Sequence, residues 1–160
     1  MPVKINYKNN SSNKISSNLV LFTDEKFNII TIKKYISKLE FSYINDLLKT
    51  SDLKKSLLVF ELSAKKKIIL VSLKNNVLSS DLENLGAELF DRINYGKNSQ
   101  YFINLDSFAS KYKNLVGHFL HGIKLKSYEF KKYKSKKEIR HITLNVARDK
   151  NKFLNSKNLK

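Results

Sequence analysis

Apolar positions change their spacing several times along the 160-residue chain, and each change marks an element. PVKINYK (2–8) reads as a short strand, followed by a polar, turn-rich segment, NNSSNKISS (9–17). NLVLFTDE (18–25) is a short apolar run ending in turn residues, the pattern of a buried strand. From 31 to 50 the spacing becomes helical, with Ile32, Tyr35, Ile36, Leu39, Tyr43 and Leu47 on one stripe and Thr31 as the expected N-cap. SLLVFELS (56–63) and KIILVSL (67–73) are apolar runs separated only by AKK, which predicts an antiparallel hairpin. Neither run alternates cleanly, so helices are expected on both faces of the sheet.

The next helix is predicted over 79–96. Ser80 and Glu83 are expected to form a capping box, and Gly96 to end the helix. Its apolar face is Leu82, Leu85, Gly86, Leu89, Phe90 and Ile93. QYFINLD (100–106) predicts another strand, and a third helix is expected to begin near Ser107 or Ser110. The stripe of that helix runs through Tyr112, Leu115, Val116, Phe119, Leu120 and Ile123 to Ser127, Phe130 and Tyr133. A last strand is expected within 138–149, with Ile142, Leu144 and Val146 on its apolar side. Strands alternating with helices around one hairpin predict a three-layer α/β/α domain with a mixed sheet. The expected segmentation is an N-terminal strand and polar turn (1–17), the α/β domain (18–147) and a basic tail or linker (148–160).

Composition narrows the chemistry. The chain has no cysteine, which removes disulfides, thiolate metal sites and a cysteine nucleophile. No apolar run is long enough to cross a bilayer, and MPVKINYKNNSSNK lacks the apolar core of a secretory signal; a cytoplasmic setting is the expectation. The net charge is +17, and +12 of it lies in residues 111–160. Only Arg92, Arg140 and Arg148 are arginine, the side chain best shaped to grip phosphates and guanine edges. Lysine excess alongside Asn and Ile is also what an AT-rich genome produces.

Motifs for catalysis are sparse. His118 and His121 lie three apart on the third helix, without a visible third metal ligand. Gly86, Gly117 and Gly122 fall inside predicted helices, where close packing against the sheet is the expected use. No glycine follows a strand to make a phosphate loop. Asp24 and Asp106 follow strands, where α/β sites are often built, but a turn role is expected for both.

The run GIKLKSYEFKKYKSKK (122–137) carries the one family-level signal. It resembles the end of the N-terminal domain of the leucyl aminopeptidase (cytosol aminopeptidase) family, whose pattern is roughly G-x-x-L-x-S-Y-x-F-x-x-Y-K-T-K-K. Gly122, Leu125, Ser127, Tyr128, Phe130, Tyr133, Lys134, Lys136 and Lys137 match, while Ser135 stands for threonine and Lys126 where arginine is common. KKSLLVFELSAKKKIILVSLKN and LENLGAELF are similar to the family's strand pair and following helix.

The resemblance implies a macro-domain-like fold and a non-catalytic, structural or assembly role, either as an N-terminal domain or as a truncated remnant. Two divalent metals are implied for the separate catalytic domain only, and no cofactor, metal or catalytic residue is implied for this chain. The implied partners are that catalytic domain and further copies, since the family forms hexamers. The macro-domain likeness carries no expectation of ADP-ribose binding, because the glycine loops are missing. Tyr128, Phe130 and Tyr133 are then expected to anchor the helix end. The alternative is a nucleic-acid-binding module, contacting the phosphates of DNA through lysines of the 124–137 segment: Lys126, Lys131, Lys132, Lys134, Lys136 and Lys137.

Overall fold

A computed structural model describes residues 3–8, 18–63, 66–74, 76–93, 99–107, 115–132 and 142–147. Six strands form one sheet: β1 (Val3–Lys8), β2 (Asn18–Asp24), β3 (Leu57–Ser63), β4 (Lys66–Leu73), β5 (Ser99–Asn104) and β6 (Ile142–Ala147). Their order is β1-β6-β5-β2-β4-β3. All neighbours are parallel except β3 and β4, the antiparallel hairpin expected from their short connection. The fold is therefore α/β with a mixed sheet, as the element order implies.

Strand alternation sorts the core into two layers. In β2, Val20 and Phe22 face α2 (Ser79–Ile93) and α3 (Val116–Lys132), while Leu19 and Leu21 face the layer holding α1 (Lys38–Leu48). β4 divides the same way, with Ile69 and Val71 on one side and Ile68 and Leu70 on the other. Both faces are covered, so the central strands are apolar throughout. Phe22 meets Phe119 of α3 edge-on, with ring centroids 5.2 Å apart at 75°, a geometry that adds about 1 kcal/mol to simple burial.

The predicted helix over 31–50 is two pieces. Ile30–Tyr35 forms a 3-10 helix, Ile36 and Ser37 are extended, and α1 starts afresh at Lys38. Thr31 lies inside the first piece and is not the cap. Ser37 is: its hydroxyl accepts from the Glu40 amide at 3.1 Å, and the Glu40 carboxylate accepts from the Ser37 amide at 2.9 Å. This capping box, worth about 1 kcal/mol, resets the helical phase. Ile44 is buried and Phe41, Leu47 and Leu48 pack beside it, whereas Leu39 and Tyr43 of the predicted stripe face solvent, at 84% and 46% exposure.

Glu40 also joins α1 to the sheet. Its second carboxylate oxygen lies 2.6 Å from Lys66 Nζ at the start of β4, with the two side chains 17% and 13% exposed. Burial opposes ionisation of Glu40, but the Lys66 hydrogen bond, the Ser37 amide and the Lys66 charge outweigh it and hold the carboxyl below its ordinary value.

Helix α2 starts at Ser79, so Ser80 is within the helix and not its cap; Asp81 accepts instead from the Leu78 amide at 2.9 Å. The predicted face of α2 is buried in full: Leu82, Leu85, Gly86, Leu89, Phe90 and Ile93. Gly96 and Tyr112 lie outside the described residues, as does Ser110, and α3 is described from Val116. Ser107 ends a 3-10 turn, Leu105–Ser107, that closes β5.

Gly86 and Gly122 serve helix–helix packing, where helix–sheet packing was expected. A Cβ on Gly86 would overlap the Phe119 carbonyl oxygen of α3 and come 3.1 Å from the Ile123 amide. A Cβ on Gly122 would overlap the Glu83 carbonyl oxygen of α2. Each helix thus presents a bare backbone to the other's backbone.

Two outcomes follow. Gly86→Ala and Gly122→Ala each lower stability by about 2–3 kcal/mol in denaturant melts, because the atoms a Cβ would meet are main chain and cannot rotate away. Glu40→Gln costs about 2 kcal/mol at neutral pH. Because the folded carboxyl titrates below its unfolded value, the wild-type advantage is complete above the ordinary carboxylate range. It disappears as pH falls through the lowered folded value, so the two melting curves converge in acid.

Candidate functional site

Open α/β sheets place ligands outside the carboxyl ends of their strands, where neighbouring connections diverge. Here that point lies between β2 and β5, whose pairing runs only from Asn18–Val20 against Tyr101–Ile103. Beyond it, β5 turns into its 3-10 turn and the strands' direct pairing ends. The chain fills the position with its own groups: the Phe22 amide donates to Ser107 Oγ at 2.9 Å, and that hydroxyl donates to the Asn104 carbonyl at 2.7 Å. Ser107 therefore takes the place of the next ladder acceptor.

The loop after β2 is similarly self-satisfied. Asp24 Oδ1 accepts from the Lys26 amide at 3.0 Å and the Asn28 amide at 2.9 Å, so its role is in the turn, as expected. These bonds support Phe27 at φ 56°, a left-handed conformation costly for a bulky residue, with its ring buried against the α1-side core. The Phe27 amide closes the turn on the Asp24 carbonyl at 3.1 Å. Thr23 is buried at the same end, its hydroxyl donating to the Asp24 carbonyl at 3.1 Å. The side chain of Asp106 lies outside the described residues.

The outer side of α3 is the other candidate surface. Val116, Phe119, Leu120, Ile123 and Ser127 are buried, as the predicted stripe requires. His118, His121, Leu125 and Tyr128 recur on the opposite side and are exposed. Tyr128 is 54% exposed and Leu125 44%, so Tyr128 is not the anchor expected of it. The cause is helical phase: 118, 121, 125 and 128 follow spacings of three and four residues, roughly opposite the 116–119–123 stripe. The side chain of Phe130, and Tyr133 altogether, lie outside the described residues.

His118 and His121 share this exposed face. Among the described residues no group of three His, Asp or Glu side chains could hold a metal ion. Of the candidate phosphate contacts, Lys126 lies 4.0 Å from Asp91 of α2, which offsets part of its charge. Lys131 and Lys132 are in the final turn of α3, with side chains outside the described set, and Lys134, Lys136 and Lys137 are outside it entirely. The structure thus brings together only one described lysine of the six, beside a carboxylate. Sequence inspection missed the exposed Leu125–Tyr128 pair and Ser107; helical phase at 116–128 signals the first, and nothing local signals the second.

Among the described residues no helix is long and apolar enough to cross a membrane. The family model described as the cytosol aminopeptidase family, N-terminal domain, matches residues 21–137. A solved structure of a tomato leucine aminopeptidase mutant is similar at a TM-score of 0.63 and 14% identity, a likeness of fold. The match covers 98% of this chain and 34% of that one, so the chain spans about a third of the length of the solved relative. No curated protein matches the sequence.

Ser107→Ala removes the hydroxyl that accepts from the Phe22 amide and donates to the Asn104 carbonyl. It lowers stability by about 1–2 kcal/mol, and native-state hydrogen exchange shows the Phe22 amide opening faster than its β2 neighbours.

Proposed function

The chain belongs to the cytosol aminopeptidase family, as its N-terminal domain, and on that premise we propose that it is a non-catalytic unit of a metal-dependent leucyl aminopeptidase. Its role is structural: it supports and shapes the assembly around a separate catalytic domain, in the cytoplasm. The observation that carries this reading is the extent of the family match. Residues 21–137 run from β2 through α3, so the matched region is the body of the sheet and its covering helices.

The physical character of the domain supports it. The strand ends where an α/β enzyme would build its site are committed to internal hydrogen bonds through Ser107 and Asp24. The surface features left over are apolar and basic positions on helices, which suit contact with another protein better than chemistry on a small molecule.

The test is direct. The purified chain, supplied with zinc or manganese, gives no turnover of leucine-p-nitroanilide above buffer. Metal-dependent turnover that co-elutes with the chain and is abolished by a chelator would overturn the non-catalytic reading.

A further inference from the structure

We infer that the outer face of α1 and of the 3-10 helix before it binds the surface of an anionic lipid bilayer. Leu39 and Tyr43 enter the headgroup layer, and Lys33, Lys34 and Lys38 contact lipid phosphates. This activity lies beyond the structural role proposed above and does not depend on a catalytic domain.

Leu39 and Tyr43 stand one helical turn apart on α1, and both are exposed while Ile44 turns into the core. Leu39 is the most exposed large apolar side chain among the described residues. Two side chains are too few for the buried centre of a stable protein interface. A protruding aliphatic beside a tyrosine does suit a headgroup layer, where the ring finds hydrocarbon and its hydroxyl finds water. The other side of α1 is held on the sheet by Ile44, Phe41, Leu47 and Leu48, so the helix can meet lipid without leaving its place.

The charges around this pair have one sign. Residues 30–45 contain Lys33, Lys34 and Lys38, all exposed, and a single acid, Glu40. Glu40 is paired with Lys66 of β4, so it does not offset the outer lysines. Further along α1, Asp46 is matched by Lys49 at 3.8 Å. Lys33 Nζ lies 5.4 Å from the centre of the Phe41 ring, which joins the 3-10 helix and α1 into one surface. Lys34 Nζ lies 5.3 Å from the centre of the Tyr35 ring, so both lysines lie along half-buried aromatic rings. The other side of the sheet mixes signs: α2 carries Asp81, Glu83, Glu88 and Asp91 against Arg92, and Lys126 of α3 lies 4.0 Å from Asp91. An anionic bilayer therefore attracts the α1 side. A second copy would set lysine against lysine, and a nucleic acid would engage the lysines but leave Leu39 in water.

The experiment uses the full chain and vesicles of phosphatidylcholine, alone or with an equal part of phosphatidylglycerol. Co-sedimentation with the mixed vesicles and not with phosphatidylcholine is expected, weakening as salt is raised. Lys33→Gln, Lys34→Gln and Lys38→Gln together lower partitioning about a hundredfold, and Leu39→Ser with Tyr43→Ser about tenfold. Lys134→Gln, Lys136→Gln and Lys137→Gln together remove the same charge elsewhere and have a much smaller effect. The chain has no cysteine, so Leu39→Cys and Leu125→Cys each provide one thiol for an environment-sensitive fluorophore. The label at 39 shifts to the blue on mixed vesicles and is quenched by brominated lipid, whereas the label at 125 is not. Circular dichroism and melting confirm that the variants are folded.

No binding to the mixed vesicles at low salt overturns the inference. So does a blue shift at 125 as large as at 39, or a loss in the 134–137 variant as large as in the 33–38 variant, since either makes the attraction one of overall charge. Duplex DNA bound through Lys33, Lys34 and Lys38 without vesicle binding also overturns it.

Discussion

Gly86 and Gly122 set the distance between α2 and α3, and the layer on that face of the sheet depends on it. Each glycine lies against a carbonyl of the other helix, Phe119 in one direction and Glu83 in the other. With the helices that close, the Leu82, Leu85, Leu89 and Phe90 face and the Val116, Phe119, Leu120 and Ile123 face reach the sheet side by side. Phe119 can then lie edge-on to Phe22 in β2. A wider separation would open a gap along the most buried part of the core, and interiors packed at crystal-like density do not tolerate gaps of that size.

The opposite layer is held by a different kind of contact. α1 buries fewer large side chains, and Glu40 compensates by serving two purposes with one carboxylate: it caps its own helix through Ser37 and receives Lys66 from β4. The hydrophobic layer tolerates a wide range of pH, whereas this polar clamp is confined to conditions in which Glu40 is charged. The two faces of one sheet therefore respond differently to acid.

Much of the fold was legible because the period of the apolar positions changes where the elements change. The hairpin, the buried face of α2 and the core side of α3 follow from spacing alone. The region 31–50 shows where spacing misleads. A continuous stripe can be drawn through Ile32, Ile36, Leu39 and Tyr43, yet Ser37 and Glu40 begin a new helix out of phase with it. S-K-L-E at 37–40 was the local signal, weaker to the eye than a long apolar stripe but decisive energetically. In α2 the converse held: Ser80 and Glu83 fit the capping pattern, but Asp81 reached the Leu78 amide one turn position earlier. The surface of α3 was misjudged because aromatic residues near a helix end suggest anchoring, while helical phase sends Tyr128 outward. The Ser107 bridge was illegible, since it links residues 85 positions apart through a turn whose shape only the sheet determines.

The placement of β1 has a consequence for how the chain is made. Val3–Lys8 pairs in parallel with Ile142–Ala147 and is the outer strand of that edge. During synthesis β1 therefore emerges before every other element of this sheet, and its partner β6 emerges after all of them. Until residue 147 has emerged, β1 has no described neighbour to pair with, and β5 offers a bare edge where β6 will lie. Such long-range pairing slows folding, because the loop it closes is almost the whole domain. The nascent protein thus passes through a stage with one open sheet edge and one unpaired strand, the condition in which contacts between neighbouring nascent chains form most readily.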